Sequence, residues 1–136
     1  MVVTLNNRHP RRRISRLYFE KRAKKILRHL EKPRAILDIS FVTDREIRRL
    51  NRVYRGKNHP TDVLSFPMGE GNLLGDVVIS LDTAARQAKE KKWPVKSEVL
   101  FLIIHGILHL IGYDHIKHRE RVRMRKKEQI LWRLAR

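Results

Sequence analysis

Three histidines fall within a short run, His105-Gly106-Ile107-Leu108-His109-Leu110-Ile111-Gly112-Tyr113-Asp114-His115. On an α-helix, His105 and His109 stand about 40° apart and about 6 Å along the axis, so two imidazoles can converge on one ion. A helix continued to His115 would carry that ring about 120° further round and about 9 Å onward, so a third ligand requires the helix to stop and the chain to turn back. Gly112 lies where that turn is needed, because glycine takes the left-handed conformation that closes a helix without a Cβ clash. Three neutral imidazoles on one divalent ion, with the fourth position left to water, form the catalytic rather than the structural arrangement for zinc. Asp114 is either an acceptor orienting one of the rings or a turn residue. His118 is either a substitute third ligand or a solvated side chain.

The run matches the metzincin protease frame His-Glu-x-x-His-x-x-Gly-x-x-His at every position but one: Gly106 stands where the glutamate would be. That carboxylate is the general base of peptide hydrolysis, so the metal cradle is kept and the group most needed by a protease is missing. A second segment, Asn51-Arg52-Val53-Tyr54-Arg55-Gly56-Lys57-Asn58-His59-Pro60-Thr61-Asp62-Val63-Leu64-Ser65-Phe66-Pro67, joins a helix to a strand through a polar loop. Arg55 at the helix end can contact a phosphate through two N–H groups and stabilise charge developing in phosphoryl transfer. It can equally serve as a C-terminal cation on the helix dipole. Thr61 and Asp62 shape the turn.

Taken together, the two segments resemble the bacterial YbeY family, the metal-dependent endoribonucleases of ribosomal RNA maturation. The resemblance runs over essentially the whole chain in motif order and length. It is carried by His-Gly-x-Leu-His-Leu-x-Gly-Tyr-Asp-His and by Tyr-Arg followed by Pro-Thr-Asp-Val-Leu-Ser-Phe. It implies one zinc ion on His105, His109 and His115 plus water, with Arg55 as the functional arginine beside the metal. It further implies cleavage of single-stranded RNA, processing of the 3′ end of small-subunit ribosomal RNA, a part in ribosome quality control with the ribosome as partner, and no role for DNA. Two other readings stay open. A zincin-like metallopeptidase would need a carboxylate delivered from elsewhere, such as Asp62 or Asp114, and a non-catalytic RNA- or ribosome-binding protein would use the metal for stability alone.

The elements that must position these residues follow from periodicity. Val2 to Leu5 reads as a short strand, and Ser15 to Leu30 as a helix with Phe19, Ala23, Ile26, Leu27 and Leu30 on its apolar side. Leu37, Ile39 and Phe41 alternate with Asp38 and Ser40 as in a half-buried strand. Thr43-Asp44-Arg45-Glu46 is a capping box opening a second helix that stops near Gly56. Val63 to Phe66 and Leu74 to Ser80 read as strands around a turn at Gly69 and Gly71, and Ser80 or Asp82 caps a third helix through Glu90. After Trp93-Pro94, a fourth helix beginning near Ser97 is apolar almost all round and is therefore central. A last helix, from about His118 to Leu134, is basic with a thin apolar stripe. The expectation is a single α+β domain over residues 1–136, with a small mixed sheet of about four strands packed with helices and a metzincin-like, metal-bearing central helix.

Composition narrows the partners. Net charge is +18 over 136 residues. Met1 to Arg34 holds 12 basic and 2 acidic residues, and Lys117 to Arg136 holds 9 and 2, which leaves the middle nearly neutral. Ion-pair networks need both signs, so basic ends with few carboxylates point to a polyanion. There is no cysteine, which excludes disulfides, thiolate metal ligands and a thiol nucleophile. The start of the chain lacks the pattern of a signal peptide, and Val99 to Ile111 is too short to cross a bilayer, so a cytoplasmic protein without a membrane partner is expected.

Overall fold

Alternation of apolar and polar residues sets the sheet. In the computed structural model, which describes residues 1–114 and 116–136, β1 (Val2–Asn7) pairs in parallel with β2 (Ile36–Val42), and β3 (Val63–Glu70) pairs antiparallel with β4 (Leu73–Ser80). β2 and β4 are parallel neighbours, so the order is β1-β2-β4-β3 and β3 is an edge. Leu37, Ile39 and Phe41 of β2 share one face with Val77 and Ile79 of β4, while Val42 and Val78 turn to the other.

Helices α1 (Arg16–His29), α3 (Leu81–Lys91), α4 (Val95–Leu110) and α5 (His118–Ala135) bury their apolar stripes in the core on the first face. Helix α2 (Asp44–Arg55) packs on the second, with Ile47 against Val42, Leu64 and Val78. The Thr43 hydroxyl accepts from the Glu46 N–H at 3.2 Å to open α2, and Gly56, at φ 67°, closes it. Its start is also pinned from outside: the Asp44 carboxylate accepts from the Ser80 and Thr83 hydroxyls, both at 2.6 Å, and pairs with Arg86 at 2.8 Å. Burial pushes the Asp44 pKa up, but these hydrogen bonds and the Arg86 charge outweigh it and leave it lowered.

α4 is the central helix expected from its composition. It touches β3, β4, α1, α3 and α5, and its side chains from Val99 to Leu108 are mostly buried. No single described helix is long and apolar enough to cross a membrane. α1 packs against α5, so the two basic ends of the chain are neighbours in space.

Several boundaries differ from the periodicity, β1 among them, which runs to Asn7 rather than Leu5. α4 begins at Val95 rather than near Ser97, with Pro94 at its N-cap, where the missing N–H costs nothing. β3 runs on to Glu70, because a register shift between Pro67 and Glu70 lets Gly69, at φ 60°, stay within the strand and leaves only residues 71 and 72 for the turn. Ser80, not Asp82, caps α3, its hydroxyl accepting from the Thr83 N–H at 3.2 Å. Asp82 instead ties the loop after β1 to α2: it pairs with His9 at 2.8 Å and Arg12 at 3.1 Å, and accepts from the Asp44 N–H at 3.0 Å.

Candidate active site

α2 and α4 lie on opposite faces of the sheet, and the edge strand β3 runs between them. Ser65 of β3 connects the two. Its hydroxyl donates to the Gly106 carbonyl of α4 at 3.0 Å, and its own carbonyl accepts from Arg55 Nη2 at 3.4 Å. The arginine at the end of α2 and the histidine helix are thereby held to one residue of the strand.

Around this junction opens a cavity of about 310 Å³. Arg55, His105 and His109 line it, together with Lys57 and His59 of the loop after α2. Asn51, 2% exposed, fixes that loop by donating to the His59 carbonyl at 2.9 Å. Asp62 is the carboxylate among the described lining residues, and it is engaged: it accepts from the Val63 N–H at 2.7 Å, the Thr61 hydroxyl at 3.4 Å and Gln87 at 3.3 Å. The cavity is therefore cationic and suited to an anion.

The two described imidazoles face one another, with Nε2 to Nε2 at 3.1 Å and ring centroids 4.7 Å apart. Two nitrogen ligands of a tetrahedral zinc, each at ~2.0–2.1 Å, stand roughly 3.3 Å apart, so the pair fits such an ion with little movement. On its other side, His105 Nδ1 lies 3.8 Å from Glu128 Oε1 of α5, beyond hydrogen-bond reach, so the carboxylate bears on the ring through its charge. Among the described residues no group of three His, Asp or Glu gathers for a metal. His115, the third ligand expected from the spacing, lies outside the described residues.

The helix does stop where a third ligand requires it. α4 ends at Leu110, Gly112 sits at φ 101°, and the Tyr113 N–H folds back to the Leu108 carbonyl at 3.0 Å. The Asp114 carboxylate accepts from the Ile116 N–H at 3.2 Å, which gives it a part in this turn. His118 is exposed at the start of α5 and does not line the cavity.

Gly106 has a structural reason that the spacing alone does not reveal. A Cβ there would meet Val77 Cγ1 at 2.6 Å and Cγ2 at 3.1 Å, so the residue faces the sheet, and glycine lets α4 approach β4. A glutamate would enter the core rather than the cavity, which removes the base a peptidase would place here.

Glu128 lies outside both motifs, and Asn51 opens the second motif without a role of its own there. Glu128 falls on the inward stripe of α5 with Met124, Leu131 and Ala135, and a carboxylate at apolar spacing was the available signal. Asn51 likewise lies four residues after Ile47 on the buried side of α2.

Known proteins match this arrangement. A family model described as Endoribonuclease YbeY matches residues 4–135. A protein from an Anaeromyxobacter species, named endoribonuclease YbeY, is 48% identical over 132 residues, 94% of this chain and 69% of its own length. One of the same name from Aquifex aeolicus is 50% identical over 111 residues, 79% of this chain and 74% of its own length. A solution structure of a Thermotoga maritima protein superposes with a TM-score of 0.68 at 26% identity, covering 98% of this chain and 89% of that one.

Proposed function

Because the chain belongs to the YbeY endoribonuclease family, we propose that it is a single catalytic domain over residues 1–136 that cleaves single-stranded RNA. Its substrate on this reading is ribosomal RNA, at the 3′ end of the small-subunit species, with a part in ribosome quality control in the cytoplasm. The observation that carries the proposal is the shared cavity, in which Arg55 comes from one face of the sheet and His105 and His109 from the other.

Arg55 binds the scissile phosphate. One of its N–H groups is directed to Ser65, which fixes the guanidinium plane, and the remaining donors suit two phosphate oxygens. Lys57 adds a second positive charge at the cavity wall. His105, His109 and His115 would hold zinc, which when bound supplies Lewis acidity toward a phosphodiester oxygen and lowers the pKa of water. Glu128, 3.8 Å from His105 Nδ1, adds negative charge behind the ring that would favour a cation on its Nε2 side. The basic faces of α1 and α5 retain the RNA through its phosphates.

The test uses the purified full chain, metal analysis and a single-stranded RNA with and without chelator. His109→Ala is expected to lose both bound zinc and cleavage. Arg55→Ala is expected to keep zinc and lose about 10²- to 10³-fold in kcat/KM, with little recovery in Arg55→Lys, because a lysine cannot reproduce the planar fork. Full cleavage by His109→Ala without metal would sink the reading.

A further inference from the structure

A cavity lined by aromatic rings lies beside the candidate site, and neither motif accounts for it. Trp93, Phe101 and Trp132 gather where α3, α4 and α5 meet and, with Arg125, Glu128 and Gln129, line a space of about 370 Å³. Trp93 stands 5.2 Å from Trp132 and 6.2 Å from Phe101, ring centroid to centroid, all three rings are half-buried, and Arg125 and Gln129 are exposed at the opening. Glu128 is shared: its carboxylate lines this cavity and also sits 3.8 Å from His105 Nδ1.

A core would bury these rings or surround them with aliphatic chains. Here tryptophan surface is left at an opening furnished with a guanidinium, beside a helix rich in arginine and lysine. The Lys91 ammonium stands 4.3 Å from the Phe101 centroid, but it is paired with the buried Glu98 carboxylate at 2.8 Å, so among the described residues Arg125 is the cation left to the opening. Flat aromatic faces flanked by cations are how proteins hold unpaired bases, the ring stacking on the base while the charges take the backbone. A protein partner would be met by apolar side chains at the rim, whereas the exposed residues lining this opening, Arg125 and Gln129, are polar.

We propose that the Trp93, Phe101 and Trp132 cavity is a nucleobase subsite, which stacks one base of a single-stranded RNA whose neighbouring phosphate occupies the Arg55 and His105 cavity. This rests on the endoribonuclease reading for the direction of the strand, and it adds a determinant of which nucleotides flank the cut. Gln129 and Arg125 supply hydrogen-bond donors to a base edge, and larger bases stack more strongly, so purines are favoured over pyrimidines.

The chain contains two tryptophans, and both line this cavity, so its intrinsic fluorescence reports on it directly. With chelator present to stop cleavage, oligoadenylate is expected to quench the emission saturably, oligouridylate to do so more weakly, and inorganic polyphosphate to leave it unchanged. In cleavage assays Trp132→Leu, which keeps apolar bulk against the core, is expected to raise KM by about 5- to 100-fold, the range spanned by one base–aromatic stack, with the change falling on KM rather than kcat. Trp132→Phe should recover most of that loss. Equal quenching by polyphosphate and RNA, or an unaltered KM in Trp132→Leu with its fold intact by circular dichroism, overturns the subsite. Either result leaves cleavage by the wild-type chain to stand or fall separately.

Discussion

Replacing Gly106 by alanine tests whether packing at one helix position sets the geometry of the whole site. The added Cβ would lie 2.6 Å from Val77 Cγ1 and 3.1 Å from Cγ2. Unstrained carbon contacts begin at about 3.5 Å, so α4 and β4 must part by roughly 0.9 Å or Val77 must leave its rotamer. Overpacking of this kind costs about 1–3 kcal/mol, and the better helix propensity of alanine returns about 1 kcal/mol. A net loss of about 1 kcal/mol lowers the melting temperature of a chain this size by roughly 3–5 °C.

Catalysis should suffer more than stability. His105 and His109 ride on the displaced helix, whereas Arg55 is tied to Ser65 of β3, and Ser65 also loses the geometry of its hydrogen bond to the Gly106 carbonyl. A misplacement of about 1 Å between reacting groups costs on the order of 10²-fold, so Gly106→Ala is expected to cleave RNA about a hundred times more slowly while still folded. Val77→Ala removes both clashing methyls. In that background Gly106→Ala should cost little stability, a favourable coupling visible in a double-mutant cycle. Gly106→Glu, which restores the protease frame, should fail to fold stably and should show no peptidase activity. A Gly106→Ala protein that melts at or above the wild-type temperature with undiminished cleavage would refute the reasoning, because the contact with Val77 would then not set the spacing of helix and sheet.

Acid stability carries another expectation. Burial raises the Asp82 pKa, but the Asp44 N–H, His9 and Arg12 outweigh it and bring it down to about 2. A group with a lowered folded-state pKa contributes stability above its ordinary value near 4 and loses it as pH falls from there to about 2, so Asp82→Asn should be clearly less stable than wild type at pH 7 and should converge on it near pH 2 in denaturant titrations. Salt dependence tests the basic face: among the described residues Arg121, Arg123 and Lys126 of α5 are exposed and stand in no ion pair with a carboxylate, and each phosphate contact contributes about −0.7 to the slope of log K against log salt for single strands. Changing all three to glutamine should shallow the slope by about 2 and weaken every RNA sequence alike, whereas an unchanged slope would remove this face from RNA binding.

Local signals were legible where chemistry and backbone coincide. The Thr43 cap, the closing Gly56 and the turn at Gly112 each need a residue type that sequence displays, and each is found where expected, although the Glu46 carboxylate of the expected capping box goes to Arg49. The spacing of His105 and His109 fixed their common face because a helix has one period, and their Nε2 atoms do meet. What sequence does not display is which distant surfaces touch. Ser65 reads as an ordinary strand residue until β3 is seen between α2 and α4, and Glu128 reads as one more charge on a charged helix until α5 is laid against α4. β3 runs past the end that Pro67 and Gly69 signal, because the register shift after Pro67 absorbs them at the edge of the sheet, where a residue without a backbone N–H is tolerated.

The distribution of charge takes on a different meaning once the termini are placed. Along the chain the excess of positive charge is split between two ends that bracket a nearly neutral middle. In the fold α1 packs on α5 and α5 on α4, so the two basic ends of the chain lie side by side next to the histidine helix. A basic surface placed at random would capture RNA without presenting it. One carried on the helix that packs beside His105, with Glu128 3.8 Å from its Nδ1, would on the proposed function set the path of the strand relative to the cavity. On the proposed function α5 would both take part in phosphate binding and pack beside the candidate metal site. Truncating it should therefore weaken RNA binding and zinc retention together, whereas neutralising its outward arginines should weaken binding alone.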